Sequence, residues 1–418
     1  MIAQTSASRM PDIRVPGTLT LLALLAGLAA GLLLAGTRTE APVLAVAAPV
    51  GALWLQALKM TILPLVAGLL FTGIVETAAA ARAGRMARRT LGWIAGMLAF
   101  STFVGATVMP LLLATWAPPQ GIAMPGKADA PMAVPGIADF LASLVPANVA
   151  TAAADDALLP VIVFIVLFAL ASTRLEEAPR RHLAQLFEAL AAAMMVLIGW
   201  VLRLAPIGVF ALALSLAAHS GTAAIGALAH YIVLVSSCGA VFLVLGYPLA
   251  AFAGGKRIGA FAAAVLPAQV VALSTQSSLA SLPAMLAGCR RLEIRTTSAE
   301  FVLPLAVTIF RATSPAMNVA ACIYAARLAG IDLPPGAIAA GALVAFVTTL
   351  GSVSLPGTVS FIASTGPIAV AMGVPLWPLG ILVAVEMLPD IMRTVGNVTM
   401  DVAVTSAVDA GAEEAPAP

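Results

Sequence analysis

Runs of apolar residues long enough to cross a bilayer occur at about 17–37, 43–77, 91–115, 157–174, 184–218 and 223–254. A hydrocarbon core about 30 Å thick needs roughly 20 apolar residues in a helix rising 1.5 Å per residue, so each run predicts a transmembrane helix. After Arg257 the pattern changes. Ile258 to Cys289 carries no charge, but its middle reads Ser274-Thr275-Gln276-Ser277-Ser278-Leu279-Ala280-Ser281-Leu282-Pro283. A polar, proline-ended cluster is poor material for a continuous span. Basic residues flank it on both sides (Lys256 and Arg257, then Arg290, Arg291 and Arg295). The pattern predicts a hairpin that enters the membrane and returns, with its tip in protein or a water-filled cavity, where non-helical backbone is tolerated. A second such segment, at about 335–371, has Gly351-Ser352-Val353-Ser354-Leu355-Pro356-Gly357-Thr358 at its centre. One span, at about 297–328, lies between the two, and a charged helix follows the second. Hairpin, helix, hairpin, helix is a repeat, and the single span between the units inverts the second. Inverted repeats with broken helices build transporter sites at the bilayer midplane. The expected fold is an all-α polytopic membrane protein with eight transmembrane helices and two re-entrant hairpins.

The charged helix reads Glu386-Met-Leu-Pro-Asp390-Ile-Met-Arg393-Thr394-Val-Gly-Asn397-Val-Thr-Met-Asp401, after a stretch from Leu333 to Val385 with no charged side chain. At about 100° per residue, Glu386, Asp390, Arg393, Thr394, Asn397 and Asp401 share a sector roughly 100° wide. An ionisable group at mid-membrane costs at least ~2.5–3.5 kcal/mol, so such groups usually face a polar cavity and serve function. The stripe therefore predicts a binding face rather than a structural ion-pair network.

Composition and charge narrow the class. Hydrophobic residues make up 61% of the chain, charged residues 10%, and mean hydropathy is +1.05. Soluble domains carry about 25% charged residues, so this chain is expected in lipid. A net charge of +2 makes no case for nucleic acid. Cys238, Cys289 and Cys322 lie unpaired in apolar stretches, and the three histidines form no ligand cluster, so neither disulfides nor a zinc site is expected. Serines are plentiful, but no Gly-x-Ser-x-Gly elbow suggests a hydrolase. Arg9 and Arg14 precede the apolar run Leu19 to Leu34, read as a first helix rather than a signal peptide. Arg82, Arg85, Arg88 and Arg89, then Arg174, Arg180 and Arg181, then Lys256 and Arg257 mark alternate connections. The 116–156 loop instead carries Asp129, Asp139, Asp155 and Asp156 against Lys127. By the positive-inside rule the arginine-rich connections and both termini are cytoplasmic and that loop is external, as in a cell-membrane (inner-membrane) protein.

These motifs resemble the dicarboxylate/amino acid:cation symporter family, the glutamate transporters. The resemblance runs from the first helix to about residue 410. Scaffold pieces are Lys59-Met60 to Leu63-Pro64-Leu65, Leu158-Leu159-Pro160-Val161-Ile162-Val163-Phe164 and Ala205-Pro206-Ile207-Gly208-Val209-Phe210. More specific are Ser277-Ser278 with Leu282-Pro283, Phe301-Val302-Leu303-Pro304-Leu305, and Asp390-x-x-Arg393-Thr394-x-x-Asn397-Val398-Thr399-x-Asp401. The resemblance implies a homotrimer in which a transport domain moves against a trimerisation scaffold. It divides the chain into a cytoplasmic segment 1–16, helices one to six at 17–254, a transport core at 255–408 and a disordered tail at 409–418. It also implies a secondary transporter of aspartate or glutamate, not an enzyme, with no cofactor. A C4-dicarboxylate symporter, or an uncoupled anion channel or sensor on the same scaffold, are the alternatives.

By resemblance, Arg393 pairs with the substrate's distal carboxylate and Asp390 with its ammonium. Thr394 and Asn397 add hydrogen bonds, and Ser277, Ser278 and Ser314 join them. Val353, Pro356 and Gly357 belong to a hairpin tip that closes over the ligand. The family's sodium motif, Asn-Met-Asp-Gly-Thr, is replaced here by Phe310-Arg311-Ala312-Thr313-Ser314. Its amide and carboxylate ligands are gone and a guanidinium stands in the middle. Third-helix positions such as Met97 and Phe100 are also apolar. Thr308, Arg311, Glu386, Asn397 and Asp401 remain as a cation or ion-pair site, with Asp401 the candidate metal ligand. Arg311 is expected to replace a bound sodium by pairing with Asp401 or Glu386, leaving proton coupling or exchange; a competing reading has Arg311 reach the substrate. Gln276 stands where some members carry an arginine, which leaves Arg393 as the main cation for the substrate.

Overall fold

A computed structural model describes residues 17–81, 84–119, 145, 147–155, 158–351 and 357–413. The N-terminal segment 1–16, most of the 116–156 loop and the hairpin-tip residues Val353 and Pro356 lie outside the described residues. Among the described residues every regular element is helical. In order they are α1 (Gly17–Leu34), α2 (Glu40–Ala81), α3 (Arg85–Thr115), α4 (Val149–Ala154), α5 (Leu158–Ser172) and α6 (Glu177–Arg203). There follow α7 (Ala205–Ser220), α8 (Ala223–Phe252), α9 (Ile258–Thr275), α10 (Ser278–Arg291) and α11 (Thr296–Ile309). The last are α12 (Ser314–Leu328), α13 (Pro335–Gly351), α14 (Gly357–Ala371), α15 (Trp377–Leu382) and α16 (Met387–Glu413).

Among the described residues five stretches are long and apolar enough to cross a membrane: Glu40–Glu76, Arg85–Thr115, Glu177–Arg203, Ala223–Phe252 and, taken across a break, Thr296–Leu328. Shorter apolar helices include Leu22–Leu34, Pro160–Ser172 and Ala205–His219. The 184–218 run is two helices rather than one. It divides at Leu204, because Pro206 at the start of α7 has no N–H to continue α6 and fits a first helical turn instead. The 258–289 run is a pair of helices, α9 and α10, packed together around a turn. Gln276 makes that turn in the left-handed region at φ 51°, and the Ser277 hydroxyl caps α10 by accepting from the Ala280 N–H at 3.2 Å. Helices α13 and α14 also pack on each other.

The 297–328 span is discontinuous. α11 ends at Ile309, Phe310 is extended, and α12 restarts at Ser314, with Pro315 at its first turn. Pro315, which has no N–H to donate, fits the first turn of the new helix. The final helix runs on to Glu413, past the boundary expected at 408. Its end is held: the Arg295 guanidinium donates to Asp409 Oδ1 at 2.8 Å and to the Asp409 carbonyl at 2.7 Å, and Arg89 donates to the Gly411 carbonyl at 2.5 Å. Arginines suit the unpaired carbonyls of a helix C-terminus.

Three apolar clusters make up the interior. One joins α1, α2, α3, α5, α6, α7 and α8 to α12–α15; a second centres on α9, α10, α11 and α16; a third joins α3, α8, α11, α12 and α16. Thus α16 contacts α3, α8 and both halves of the α9–α10 pair, and its polar stripe is enclosed on several sides. Large apolar side chains such as Leu22, Leu53, Phe103, Trp200 and Val244 are exposed on the outer helices, as a protein solvated by lipid requires.

Candidate functional site

The face predicted from helical spacing is buried as a unit. Glu386, Asp390, Arg393, Thr394, Asn397 and Asp401 are each at most 6% exposed. Glu386 precedes α16, and its carbonyl accepts from the Asp390 N–H at 2.9 Å, so its carboxylate sits at a helix N-terminus, where negative charge is favoured.

Each of the three nitrogens of Arg393 is engaged. One terminal nitrogen donates to Glu386 Oε1 at 2.5 Å, the other to Asn318 Oδ1 of α12 at 2.7 Å, and Nε lies 3.1 Å from Asp390 Oδ1. The planar fork of a guanidinium spreads its donors over three nitrogens, so it reaches acceptors on different sides that a compact ammonium reaches less well. The second oxygen of Glu386 accepts from the Tyr231 hydroxyl of α8 at 2.8 Å. The buried pair is thus hydrogen-bonded on both sides, as ions out of water must be. Thr394 turns its hydroxyl to the Asp390 carbonyl at 2.9 Å and holds its own helix.

The break between α11 and α12 faces this stripe. The Thr313 N–H donates to Asn397 Oδ1 at 2.9 Å, and its hydroxyl lies 2.9 Å from the same oxygen and 3.0 Å from the Arg393 carbonyl. On the other side the Ala316 N–H donates to the Ser101 hydroxyl of α3 at 3.0 Å. Backbone groups freed by the break are therefore satisfied by neighbouring helices. Arg311 lies within it, close enough to attract Asp390 and Asp401 and to repel Arg393. Both Asp401 oxygens are buried without a hydrogen-bond donor among the described residues, and Arg311 is the charge that acts on them. Three carboxylates (Glu386, Asp390, Asp401) against two guanidiniums (Arg311, Arg393) leave one formal negative charge.

An apolar protein that buries a cluster of opposed charges against a broken helix has the anatomy of a substrate pathway, and the chain's relatives agree. Residues 17–410 match the model of the sodium:dicarboxylate symporter family. The chain belongs to that family. It is similar to the proton/sodium-glutamate symport protein of Bacillus subtilis strain 168, 28% identical over 84% of this chain and 82% of that one. The proton/glutamate-aspartate symporter of Escherichia coli K12 is 27% identical over 84% and 82%. The C4-dicarboxylate transport protein of Rhizobium etli is 27% identical over 92% and 87%.

For a symporter of this family, several expected positions stand elsewhere. Thr308 is exposed and donates to the Pro304 carbonyl one turn back, away from Asp401, because the break follows it and leaves it on the outer side of α11. Glu386 pairs with Arg393 and Tyr231 instead of Arg311, which acts on Asp390 and Asp401. Ser277 and Ser278 are half-buried at the α9–α10 turn, Ser314 is buried at the start of α12 with its hydroxyl unpartnered, and Gly357 opens α14. Tyr231, Asn318, Thr313 and Ser101 were not anticipated. The signal existed: Tyr231 interrupts the apolar α8, and Asn318 is the one amide of α12.

Sodium fits these residues poorly. A hard cation wants several oxygen ligands. Asn397 Oδ1 is committed to Thr313, the motif's other ligand positions are Phe310 and Ala312, and Asp401 faces a guanidinium. No cluster of three metal-binding side chains exists among the described residues.

Proposed function

We propose that the protein is a sodium-independent secondary transporter that carries aspartate or glutamate across the cell membrane by alternating access. The observation that supports it most is Arg311 of the helix break, whose positive charge acts on both Asp390 and Asp401 and offsets charge that a bound cation would otherwise balance. Proton coupling or exchange then drives transport. The α9–α10 and α13–α14 pairs act as re-entrant hairpins whose tips cover the ligand, and the core built on α16 moves as an elevator against the outer helices of a homotrimer. Both termini face the cytoplasm. Arg393 would take the distal carboxylate of the substrate, with Asp390, Thr394, Asn397 and the serines at 277, 278 and 314 around its other end.

A C4-dicarboxylate is the second reading. It is favoured by the 3.1 Å contact between Arg393 Nε and Asp390, which leaves that carboxylate less available to an ammonium. Uptake of labelled aspartate, glutamate and succinate into proteoliposomes, with sodium and proton gradients imposed separately, decides among these. Saturable aspartate or glutamate uptake that ignores the sodium gradient is the expected result. Uptake that collapses without sodium, or that prefers succinate, overturns the first reading.

A further inference from the structure

His230 is a buried titratable group that the charged stripe of α16 does not use. It is 4% exposed, in the second turn of α8, and its Nδ1 lies 3.0 Å from the Tyr324 hydroxyl of α12. That hydroxyl in turn lies 2.7 Å from the Ala227 carbonyl. A carbonyl can only accept, so this contact takes the single phenolic proton and leaves the oxygen to accept from Nδ1. The neutral ring therefore carries its proton on Nδ1, and Nε2 is a bare lone pair. Nε2 is buried with no hydrogen-bond partner among the described residues. Beside it runs the chain leaving α3. The Trp116 indole packs edge-on against the imidazole, with centroids 4.6 Å apart and planes at 83°, and the Trp116 main chain faces the ring. The Trp116 N–H is spent on the Leu112 carbonyl at 2.7 Å, so its own carbonyl is the group on offer, at a helix C-terminus where carbonyls go unpaired. One turn earlier in α8, a Cβ at Gly226 would lie 3.1 Å from the Pro119 ring, so Trp116 and Pro119 are both laid on α8.

We propose that His230 is a proton-binding site separate from the α16 stripe, and that when charged it clasps α3, α8 and α12 together at the external end of the core. A lone pair on Nε2 cannot bond to the lone pairs of the Trp116 carbonyl. A proton from external water makes Nε2 a donor, and the carbonyl accepts. The charged ring then serves Tyr324 with one nitrogen and Trp116 with the other, and a cation at the end of α3 suits that helix's dipole. The proton leaves by the same route, and only the bond to Trp116 forms and breaks. The titratable groups around the ring are Tyr324 from α12 and, with its ring 5.3 Å from that of Tyr324, Tyr231 from α8 itself; α3 brings Trp116. No charged side chain among the described residues acts on the ring, so its proton follows the external pH rather than the state of Arg393. Both α3 and α8 flank α16. Fastened to each other they part less readily around the site, and substrate passes more slowly.

Trp116 reports the proton directly, because a charged imidazole in contact with an indole quenches its emission. The emission lost in Trp116→Phe is that of Trp116 itself. In the purified protein this difference should fall towards acid with one midpoint in the range histidines cover, about pH 5–8, and with His230→Phe in the background it should be flat. No titration in that range, or the same titration without His230, overturns the proposal. If His230→Phe does not fold, Tyr324→Phe decides. The charged ring then loses an acceptor, so the midpoint should fall by about half a unit or more, and an unmoved midpoint overturns the proposal. Transport is read in proteoliposomes with equal pH on both sides, as counterflow of labelled aspartate, glutamate or succinate. His230→Phe should exchange about twofold faster than wild type, or more, near the acid end of that range and at the same rate near the alkaline end. A ratio that does not change with pH overturns the proposal. This arm rests on the transporter reading above: no counterflow of any of the three by wild type overturns that reading, and the emission then decides this one.

Discussion

Two of the three contacts of Arg393 are local, to Glu386 and Asp390, but the network they anchor reaches helices far apart in the sequence. Asn318 is 75 residues away, and Tyr231, which holds the other side of Glu386, is 155 residues from its partner. Arg393→Lys keeps the charge and loses the fork, so at least one acceptor goes unserved and substrate uptake should fall by about tenfold or more, a loss of about 1.4 kcal/mol. Arg393→Ala should be worse for the fold itself. It strands two buried carboxylates, and destabilisation of about 3–5 kcal/mol is expected in thermal or denaturant unfolding of the purified protein. The helical spacing of 386, 390, 393, 394, 397 and 401 was enough to show which side chains share a face. It could not show their partners, because a pattern along one helix says nothing of which distant helix packs against it. Of the two carboxylates expected as partners of Arg311, Glu386 is held by Arg393 and Tyr231, and Thr308 bonds back within its own helix.

At the scale of elements, the broken α11–α12 span depends on close approach by α3. A Cβ placed on Gly105 would lie 2.5 Å from the Ala316 carbonyl oxygen, so the two backbones touch where small residues alone permit it. Gly105→Ala should force them apart at a cost of about 1–3 kcal/mol, and transport should fall with it. Gly96, two and a half turns earlier in α3, has nothing within 4 Å of such a Cβ. Gly96→Ala is the control and should leave stability unchanged or slightly raised. The break itself was not legible from apolar periodicity, since 297–328 reads as one run; Pro315 was the clue, and its meaning depends on Asn397 and Ser101 being present to take the freed N–H groups. The end of α16 makes a gentler case. Arg295 is 41% exposed, so Arg295→Ala should cost no more than about 1 kcal/mol, yet it should speed proteolysis of the residues after Asp409.

Across the whole molecule, the family and the outline of helices were readable because lipid imposes length and composition on every span, and the motif of α16 is dense. Ion coupling was harder to read, since it depends on what replaces a missing ligand set in three dimensions. If Arg311 does the work of a bound cation, its removal should not simply weaken uptake. Arg311→Met leaves Asp401 buried without a counter-charge, so uptake should drop at least about tenfold, and high sodium should restore part of it by supplying a cation to the exposed need. Asp401→Asn alone leaves a buried guanidinium short of an anion and should also fail. The double variant, Arg311→Met with Asp401→Asn, removes both charges together and should transport better than either single variant. An interaction energy of about 1 kcal/mol or more in that cycle would mark the two as partners, since independent sites add to within ~0.3–0.5 kcal/mol. Additive losses, or an Arg311→Met protein as indifferent to sodium as the wild type with Asp401 still essential, would show that Arg311 acts on something other than Asp401.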